Sequence, residues 1–161
     1  MTGFAIHRSI RLTQGKVAWV DQADYEMLRH WSWHFNTGYA IAGCGSRKWY
    51  GKMHRLIMLP NPGQDVDHIN GDKLDNRRRN LRYCTRAQNV QNQPARRSNT
   101  SGLVGVDWHA ASRKWRARCG ASGIVHVGYF DSPEEAARAR DAVIAVMHGD
   151  FARLNFPGEV E

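Results

Sequence analysis

The sequence lacks long hydrophobic runs. Its longest uninterrupted apolar stretch extends only from Ala142 to Met147, whereas a helix that crosses a bilayer needs about 20 apolar residues. The N-terminus has no apolar segment behind a basic start, so we expect no signal peptide and a cytoplasmic location. These absences argue against a membrane partner and against a secreted protein.

The sequence also has few cysteines. The three present, Cys44, Cys84 and Cys119, are scattered, and no Cys-x-x-Cys pair occurs. Neither a disulfide framework nor a structural zinc site is therefore expected. We interpret the cysteines as small buried hydrophobic residues.

The net charge is +8, while hydrophobic residues make up 42% and charged residues 24% of the chain. This composition is that of an ordinary globular protein. The excess of positive charge favours polyanionic partners, chiefly nucleic acid.

Changes in composition divide the chain of 161 residues into four parts. Residues 1–60 predict a small α+β scaffold rich in tryptophan, whose aromatic side chains we assign to a core rather than to base stacking. Residues 61–92 contain the motif described below. Residues 93–101 are polar and turn-rich, as in a linker, and residues 102–157 form a second module. The predicted fold class is α+β.

Three strand-like runs are followed by one helix in the second module. The runs cover residues 103–108, 114–119 and 124–130, which predicts a three-stranded antiparallel sheet. Ser132 and Glu135 form an S-x-x-E capping box around Pro133, so the helix should begin there and extend to about His148. The helix is rich in alanine and is expected to pack closely on the sheet.

Residues 66–92 carry the pattern most indicative of chemistry, VDHINGDKLDNRRRNLRYCTRAQNVQN. The local signals predict a strand over residues 65–69, a glycine-containing loop, a strand over 81–84 and a short helix over 86–91. Oxygen ligands such as the Asp67 carboxylate and the Asn89 amide suit Mg²⁺. A histidine such as His68 can take a proton from water near neutral pH.

This pattern resembles the HNH motif of homing and phage endonucleases, in the variant with Asn at the last position and with an upstream Met-His-Arg segment. The resemblance implies a ββα-metal nuclease core. It implies that His68 is the general base, that Asp67 and Asn89 hold the metal, and that Asn80 ties the loop and orients the base. We expect Mg²⁺ as the cofactor, with Mn²⁺ as a substitute.

Basic residues near the motif and on one strand of the second module are interpreted as DNA contacts. Because side chains alternate along a strand, Lys114, Arg116 and Arg118 share one face, and the same phase adds His126. The predicted DNA-binding residues are Arg77, Arg78, Arg79, Arg82, Arg86, Lys114, Arg116, Arg118 and His126.

Residues 101–157 resemble the APETALA2-type domain of plant ethylene-response transcription factors. The matching elements are Gly105-Val106, Lys114-Trp115, Gly128-Tyr129-Phe130, the alanine-rich helix with Asp141, and Leu154-Asn155-Phe156-Pro157. The resemblance implies a three-stranded sheet that meets the DNA major groove with a helix behind it. Asp107 stands where a DNA-contacting Arg is usual in that family, so base specificity is not carried over.

The expected function is metal-dependent hydrolysis of DNA phosphodiester bonds, with double-stranded DNA held by the C-terminal sheet. A DNA-binding regulator that keeps an inactive HNH fold is the alternative, and an RNA-directed protein ranks last. The sequence leaves open whether one strand or both are cut, whether the protein is a monomer or a homodimer, and what residues 1–52 do.

Overall fold

The structure is a computed structural model that describes residues 7–44, 47–92, 99–120 and 124–159. The chain divides into two compact units, Met1–Thr85 and Arg86–Glu161. Each unit combines helices with strands, which confirms the predicted α+β class. The four-part division stays a prediction, and most of its proposed linker, residues 93–98, lies outside the described residues. Within the described part of the chain, no helix is long and apolar enough to cross a membrane.

The first unit contains seven strands and two α-helices in its described residues. The strands are β1 (His7–Arg11), β2 (Val17–Asp21), β3 (Trp33–Asn36), β4 (Tyr39–Cys44), β5 (Arg47–Lys52), β6 (Asp65–His68) and β7 (Leu81–Cys84). The helices are α1 (Gln22–Leu28) and α2 (Met53–Met58). All strand pairs are antiparallel: β1 with β2, β4 between β3 and β5, and β6 with β7.

One hydrophobic core joins these sheets and helices. Leu28 of α1, Met53 of α2 and Val20 of β2 are almost completely buried, and Val66 and Leu81 add the inner face of the β6–β7 hairpin. The hairpin is therefore held by the same core that holds the N-terminal strands.

The tryptophans of this unit do not behave alike. Trp33 is buried and donates its indole N–H to the Leu28 carbonyl oxygen at 2.8 Å, as the assignment to a core requires. Trp19 and Trp31 remain 45% and 37% exposed. The assignment to a core is thus wrong for these two side chains.

Strand β2 also supports the segment between β6 and β7. The Trp19 backbone accepts a hydrogen bond from Asn76 N–H and donates one to Leu74 O, both at 2.8 Å, around a parallel bridge to Asp75. Asp21 stands at the N-cap position of α1 but makes no capping bond there. Its carboxylate instead accepts the Arg78 backbone N–H at 2.8 Å.

The second unit contains α3 (Arg86–Gln91), β8 (Val106–His109), β9 (Lys114–Cys119), β10 (Val125–Phe130) and α4 (Pro133–His148). Strand β9 pairs antiparallel with both β8 and β10. Val106 and Ala117 of this sheet pack with Ala136 and Ala137 of α4. The small alanine side chains allow the helix to lie close to the strands.

Two polar contacts stabilise α4, one at its N-terminus and one at its middle. The Ser132 hydroxyl accepts the Glu135 N–H at 3.2 Å, which confirms the predicted cap. The fully buried Asp141 accepts backbone N–H groups of Asn155 and Phe156. Buried carboxylates require such donors, so Asp141 ties the C-terminal segment to the helix.

Candidate active site

His68 ends strand β6 and is only 4% exposed. Its Nε2 lies 3.3 Å from Asn76 Oδ1. Its ring contacts two other rings of the first unit, with centroid distances of 4.8 Å to His54 and 6.3 Å to Tyr39. Packing on one side and a hydrogen bond on the other restrict the orientation of this imidazole.

The environment of His68 favours the neutral form. Burial lowers the pKa of His68 below its ordinary value of 6.5, while the Asn76 hydrogen bond and the carboxylates of Asp67, Asp72 and Asp75 act in the opposite direction. In the neutral ring Nε2–H donates to the amide oxygen, so Nδ1 carries the lone pair. That nitrogen has the electronic form a general base needs.

His54 has a more strongly perturbed environment. Burial, with the positive charges of a protonated His68, Lys52 and Arg55, lowers the pKa of His54 to about 3. This histidine therefore stays uncharged near neutral pH. Its ring packs against His68 as an uncharged aromatic group.

Asn80 holds the loop between β6 and β7. Its Oδ1 accepts the Asn70 N–H at 3.0 Å, and its Nδ2 donates to the Asp75 carbonyl oxygen at 2.8 Å. Its backbone oxygen accepts the Ile69 N–H at 2.9 Å. These hydrogen bonds of Asn80 connect the two ends of the loop, and they act on His68 by fixing the position of Asn76.

Asn76 is a site residue that no pattern in the sequence indicates. Its side chain is 1% exposed, and its Nδ2 is buried without a hydrogen-bond partner. The residue follows Asp75 in an irregular loop, so no periodic pattern marked it. Its contact with His68 depends on the backbone bond to Trp19, which lies more than fifty positions earlier in the chain.

Asp67 lies on the other face of the hairpin. It stands opposite Arg82 in the register, and its Oδ2 accepts from Arg82 Nε at 3.1 Å and from Nη2 at 2.8 Å. Side chains of consecutive strand residues point to opposite faces, so Asp67 and His68 leave β6 in opposite directions. Because His68 is the last residue of β6, the two side chains can serve one phosphate only beyond the end of the strand.

The donor types proposed for the metal suit a hard divalent ion. Asp67 offers a carboxylate that is 7% exposed, and Asn89 offers an amide oxygen. A cation bound by Asp67 would share that carboxylate with Arg82. Asn89 lies in α3 of the second unit and is half-buried. Among the described residues, no three histidine, cysteine, aspartate or glutamate side chains form a metal-binding group.

Three of the five arginines near the motif bind carboxylates of the chain. Arg77 forms a bidentate pair with Asp75, with both bonds at 2.6 Å, and the hydrogen bonds from Arg77 hold the pKa of that carboxyl below its usual value. Arg78 forms a bidentate pair with the buried Asp24 at 2.7 and 2.9 Å.

The third such arginine is Arg82, which pairs with Asp67 as described above. Arg79 and Arg86 are exposed. Neither of these two forms an ion pair with a described residue. The predicted DNA contacts at all five arginines stay predictions.

The basic face of the second unit contains a partly exposed cluster of ion pairs. Arg116 and Arg118 both contact Asp107, at 2.6 and 2.8 Å. Burial of the Asp107 carboxyl opposes ionisation, but the hydrogen bonds from the two arginines outweigh it and lower its pKa. On the same sheet Lys114 pairs with the exposed Asp131 at 3.1 Å.

His126 is exposed, and its ring lies 4.6 Å from that of Tyr129. It stands opposite Arg118 in the pairing of β9 with β10, with a bulge between His126 and Gly128. Arg118 and His126 are therefore neighbours on the sheet, and Asp107 partly neutralises Arg116 and Arg118.

Comparison with known proteins connects this geometry to a family. A family model described as HNH endonuclease matches residues 52–91. That range contains α2, the β6–β7 hairpin and α3. It includes His68, Asn76 and Asn80 as well as both proposed metal ligands.

Three similar proteins come from viruses. Protein 3.8 of Escherichia phage T7 is 33% identical over 101 residues, which cover 57% of this chain and 76% of that protein. An uncharacterised HNH endonuclease, L560 of Acanthamoeba polyphaga mimivirus, is 26% identical over 147 residues, 88% of this chain and 76% of the relative.

A second mimivirus protein, the uncharacterised HNH endonuclease L247, is 49% identical over 47 residues, 25% of this chain and 12% of the relative. No solved structure matches the chain at a significant level.

Proposed function

Because this chain belongs to the HNH endonuclease family, we propose that it is a metal-dependent endonuclease that hydrolyses phosphodiester bonds of double-stranded DNA. The observation that carries the proposal is the placement of His68. It is buried and hydrogen-bonded through Nε2 to Asn76, inside the segment that the family model matches, and burial lowers its pKa.

In this mechanism His68 Nδ1 removes a proton from the attacking water. General-base catalysis of this kind contributes about 10² to 10⁴ in rate. Asn76 fixes the tautomer and the ring orientation. Asn80 fixes the loop that carries Asn76, through its bond to the Asp75 carbonyl oxygen.

Asp67 and Asn89 are the proposed ligands of a divalent ion, Mg²⁺ or in its place Mn²⁺. When bound, such an ion stabilises the negative charge that develops on the phosphate and on the leaving oxygen. Arg82 neutralises the Asp67 carboxylate in the structure described here. Its guanidinium would keep that carboxylate in place for the ion.

The N-terminal strands have a role in this proposal as well. The backbone of Trp19 supports the loop at Leu74 and Asn76, and Asp21 and Asp24 anchor Arg78. Residues that lie far from the motif in sequence therefore determine where Asn76 meets the base.

The second unit is proposed to hold the duplex. Its sheet presents Lys114, Arg116, Arg118 and His126, and arginines on a strand can contact phosphates or guanine in the major groove. The likeness to an APETALA2-type domain rests on the sequence motifs and adds support to this assignment. Binding directed to a particular sequence is part of the proposal.

A plasmid assay tests the proposed function. Supercoiled DNA incubated with the protein and Mg²⁺ should become nicked or linear, and EDTA should stop the conversion. Asp67→Ala and Asn89→Ala should each require more metal for half-maximal cleavage. Cleavage that proceeds unchanged in EDTA would refute the metal mechanism, and DNA binding without cleavage would favour an inactive DNA-binding regulator.

A further inference from the structure

Two lysines of the first unit converge on one tyrosine ring. The ammonium groups of Lys52 and Lys73 lie 4.1 and 4.5 Å from the centroid of the Tyr39 ring. Lys52 ends β5, Lys73 lies in the loop between β6 and β7, and Tyr39 begins β4. Three separate segments thus bring two positive charges to one place.

This place adjoins the proposed base. The Tyr39 ring lies 5.3 Å from His54 and 6.3 Å from His68, measured between centroids. Lys52 is also one of the charges that act on His54. The lysine pair and the three rings therefore form one cluster that includes the ring of the proposed base.

The local backbone accommodates Lys73 closely. Gly38 has φ +89°, and a Cβ built at that position would come within 3.3 Å of Lys73 Cδ. A side chain at position 38 would both strain the backbone and press on the lysine stem. The glycine thus allows the lysine to reach the Tyr39 ring.

The two lysines differ from the neighbouring arginines in their partners. Arg77, Arg78 and Arg82 each bind a carboxylate of the chain. Neither Lys52 nor Lys73 has a carboxylate within 4.0 Å in the described part of the protein. Cation–π attraction holds an ammonium group on a tyrosine face, but it does not neutralise the charge.

We propose that Lys52 and Lys73, placed by Tyr39, form a phosphate-binding subsite that seats the DNA backbone next to His68. This inference rests on the proposed nuclease function and adds to it the residues that position the substrate strand. Each ammonium group donates to phosphate oxygens as a compact point charge. Two such charges beside the reacting phosphate also oppose the negative charge that builds there.

The test measures DNA binding by the full-length protein in EDTA, so that no cleavage occurs. Lys52→Met, Lys73→Met and the double variant keep the apolar stem and remove the charge. Each single change should reduce the slope of log Kobs against log salt by about 0.9 for a short duplex. Lys52→Arg and Lys73→Arg keep the positive charge, so each should have the same slope as the wild type.

Lys16→Met is the matched control. Lys16 lies over the ring of Phe35, 5.9 Å from its centroid. Phe35 pairs with Ala40, so by strand alternation it projects to the face opposite Tyr39. This variant removes the same charge from the same unit and should leave the slope unchanged.

The results separate the subsite from the nuclease proposal. If the double methionine variant keeps the wild-type slope, the subsite proposal is refuted, even if the wild type cleaves plasmid. The same holds if the only change in this variant is a lower melting temperature. A reduced slope in a protein that never cleaves plasmid supports the subsite and refutes the nuclease. A wild type that binds no DNA overturns the subsite.

Discussion

At the scale of single residues, Asn76 is the strongest candidate for positioning the base. Replacing it with leucine removes the acceptor for His68 Nε2 while filling a similar volume. We expect kcat to fall by about 10- to 100-fold, part of the factor that a placed base supplies. KM should change little, because the 1%-exposed side chain cannot reach DNA.

Two further variants make this prediction specific. Asn76→Asp keeps an oxygen acceptor and should retain more activity than Asn76→Leu. In a His68→Ala protein, Asn76→Leu should have no further effect on kcat, since coupled residues are not additive. An equal loss in the presence and absence of His68 would show that Asn76 acts through the fold alone.

His54 gives a prediction about stability and pH. Because its pKa is about 3 in the folded protein and 6.5 otherwise, the unfolded state binds the proton more readily. Its stabilising effect is complete above pH 6.5 and is lost as the pH falls towards 3. His54→Phe should remove this dependence, which amounts to at most about 1.4 kcal/mol per pH unit.

Urea unfolding at a series of pH values measures the effect. The carboxylates of the chain titrate in both proteins, so the difference between their unfolding free energies reports on His54 together with its coupling to His68. Parallel curves for the two proteins between pH 6.5 and 3 would contradict the assignment of a buried neutral histidine.

The sequence was informative about residue types at the site and uninformative about their partners. A family resemblance pointed to His68 and Asn80, because spacing within the motif is local. The contact of His68 with Asn76 and the pairing of Asp67 with Arg82 require a folded hairpin. No spacing rule indicated that Arg82 faces a carboxylate and not solvent.

At the scale of elements, the N-terminal strand β2 and helix α1 act as a support for the motif loop. Asp24 of α1 is 4% exposed and binds the Arg78 guanidinium twice. Asp24→Asn should reduce the free energy of unfolding by about 1–3 kcal/mol, because it weakens a charge-assisted buried contact. Chemical denaturation of the full chain measures the change.

Glu26→Gln in the same helix is the control. Glu26 pairs with Arg29 at 3.2 Å, and both side chains are at least half exposed. Exposed pairs of this kind contribute about 0.2–1 kcal/mol. A cost at Glu26 equal to that at Asp24 would contradict the anchoring role of the Arg78 contact.

The boundaries of helices and strands could be predicted from the sequence where turn and capping residues mark them. Strand β7, helix α3 and the capped start of α4 lie at the predicted residues, because turn residues and caps act within a few positions. The bridge from β2 to Asp75 was not predicted. It joins segments far apart in the chain, and its hydrogen bonds involve backbone groups that any residue type provides.

At the scale of the whole molecule, part of the excess positive charge is neutralised by carboxylates of the protein itself. Asp107 contacts both Arg116 and Arg118, so the proposed DNA-binding sheet is less positive than its sequence indicates. Asp107→Asn should release the two guanidinium groups. We expect tighter duplex binding and a salt slope that is steeper by about one.

Glu159→Gln serves as the comparison for Asp107→Asn. It changes the net charge equally, but Glu159 pairs with Arg138 of α4 instead of a sheet residue. Fluorescence anisotropy over a range of salt concentrations compares the two variants. Equal gains would show that net charge alone governs binding, which would remove the sheet-face assignment.

The proposed function depends on His68 as the base of a metal-dependent DNA hydrolase. The most direct measurement is plasmid cleavage in Mg²⁺ by the wild type, by His68→Ala and by His30→Ala, which removes an exposed histidine outside the site. We expect cleavage by the wild type and by His30→Ala, with a loss of at least about 10²-fold for His68→Ala. Equal cleavage by all three proteins, or cleavage by none, would contradict it.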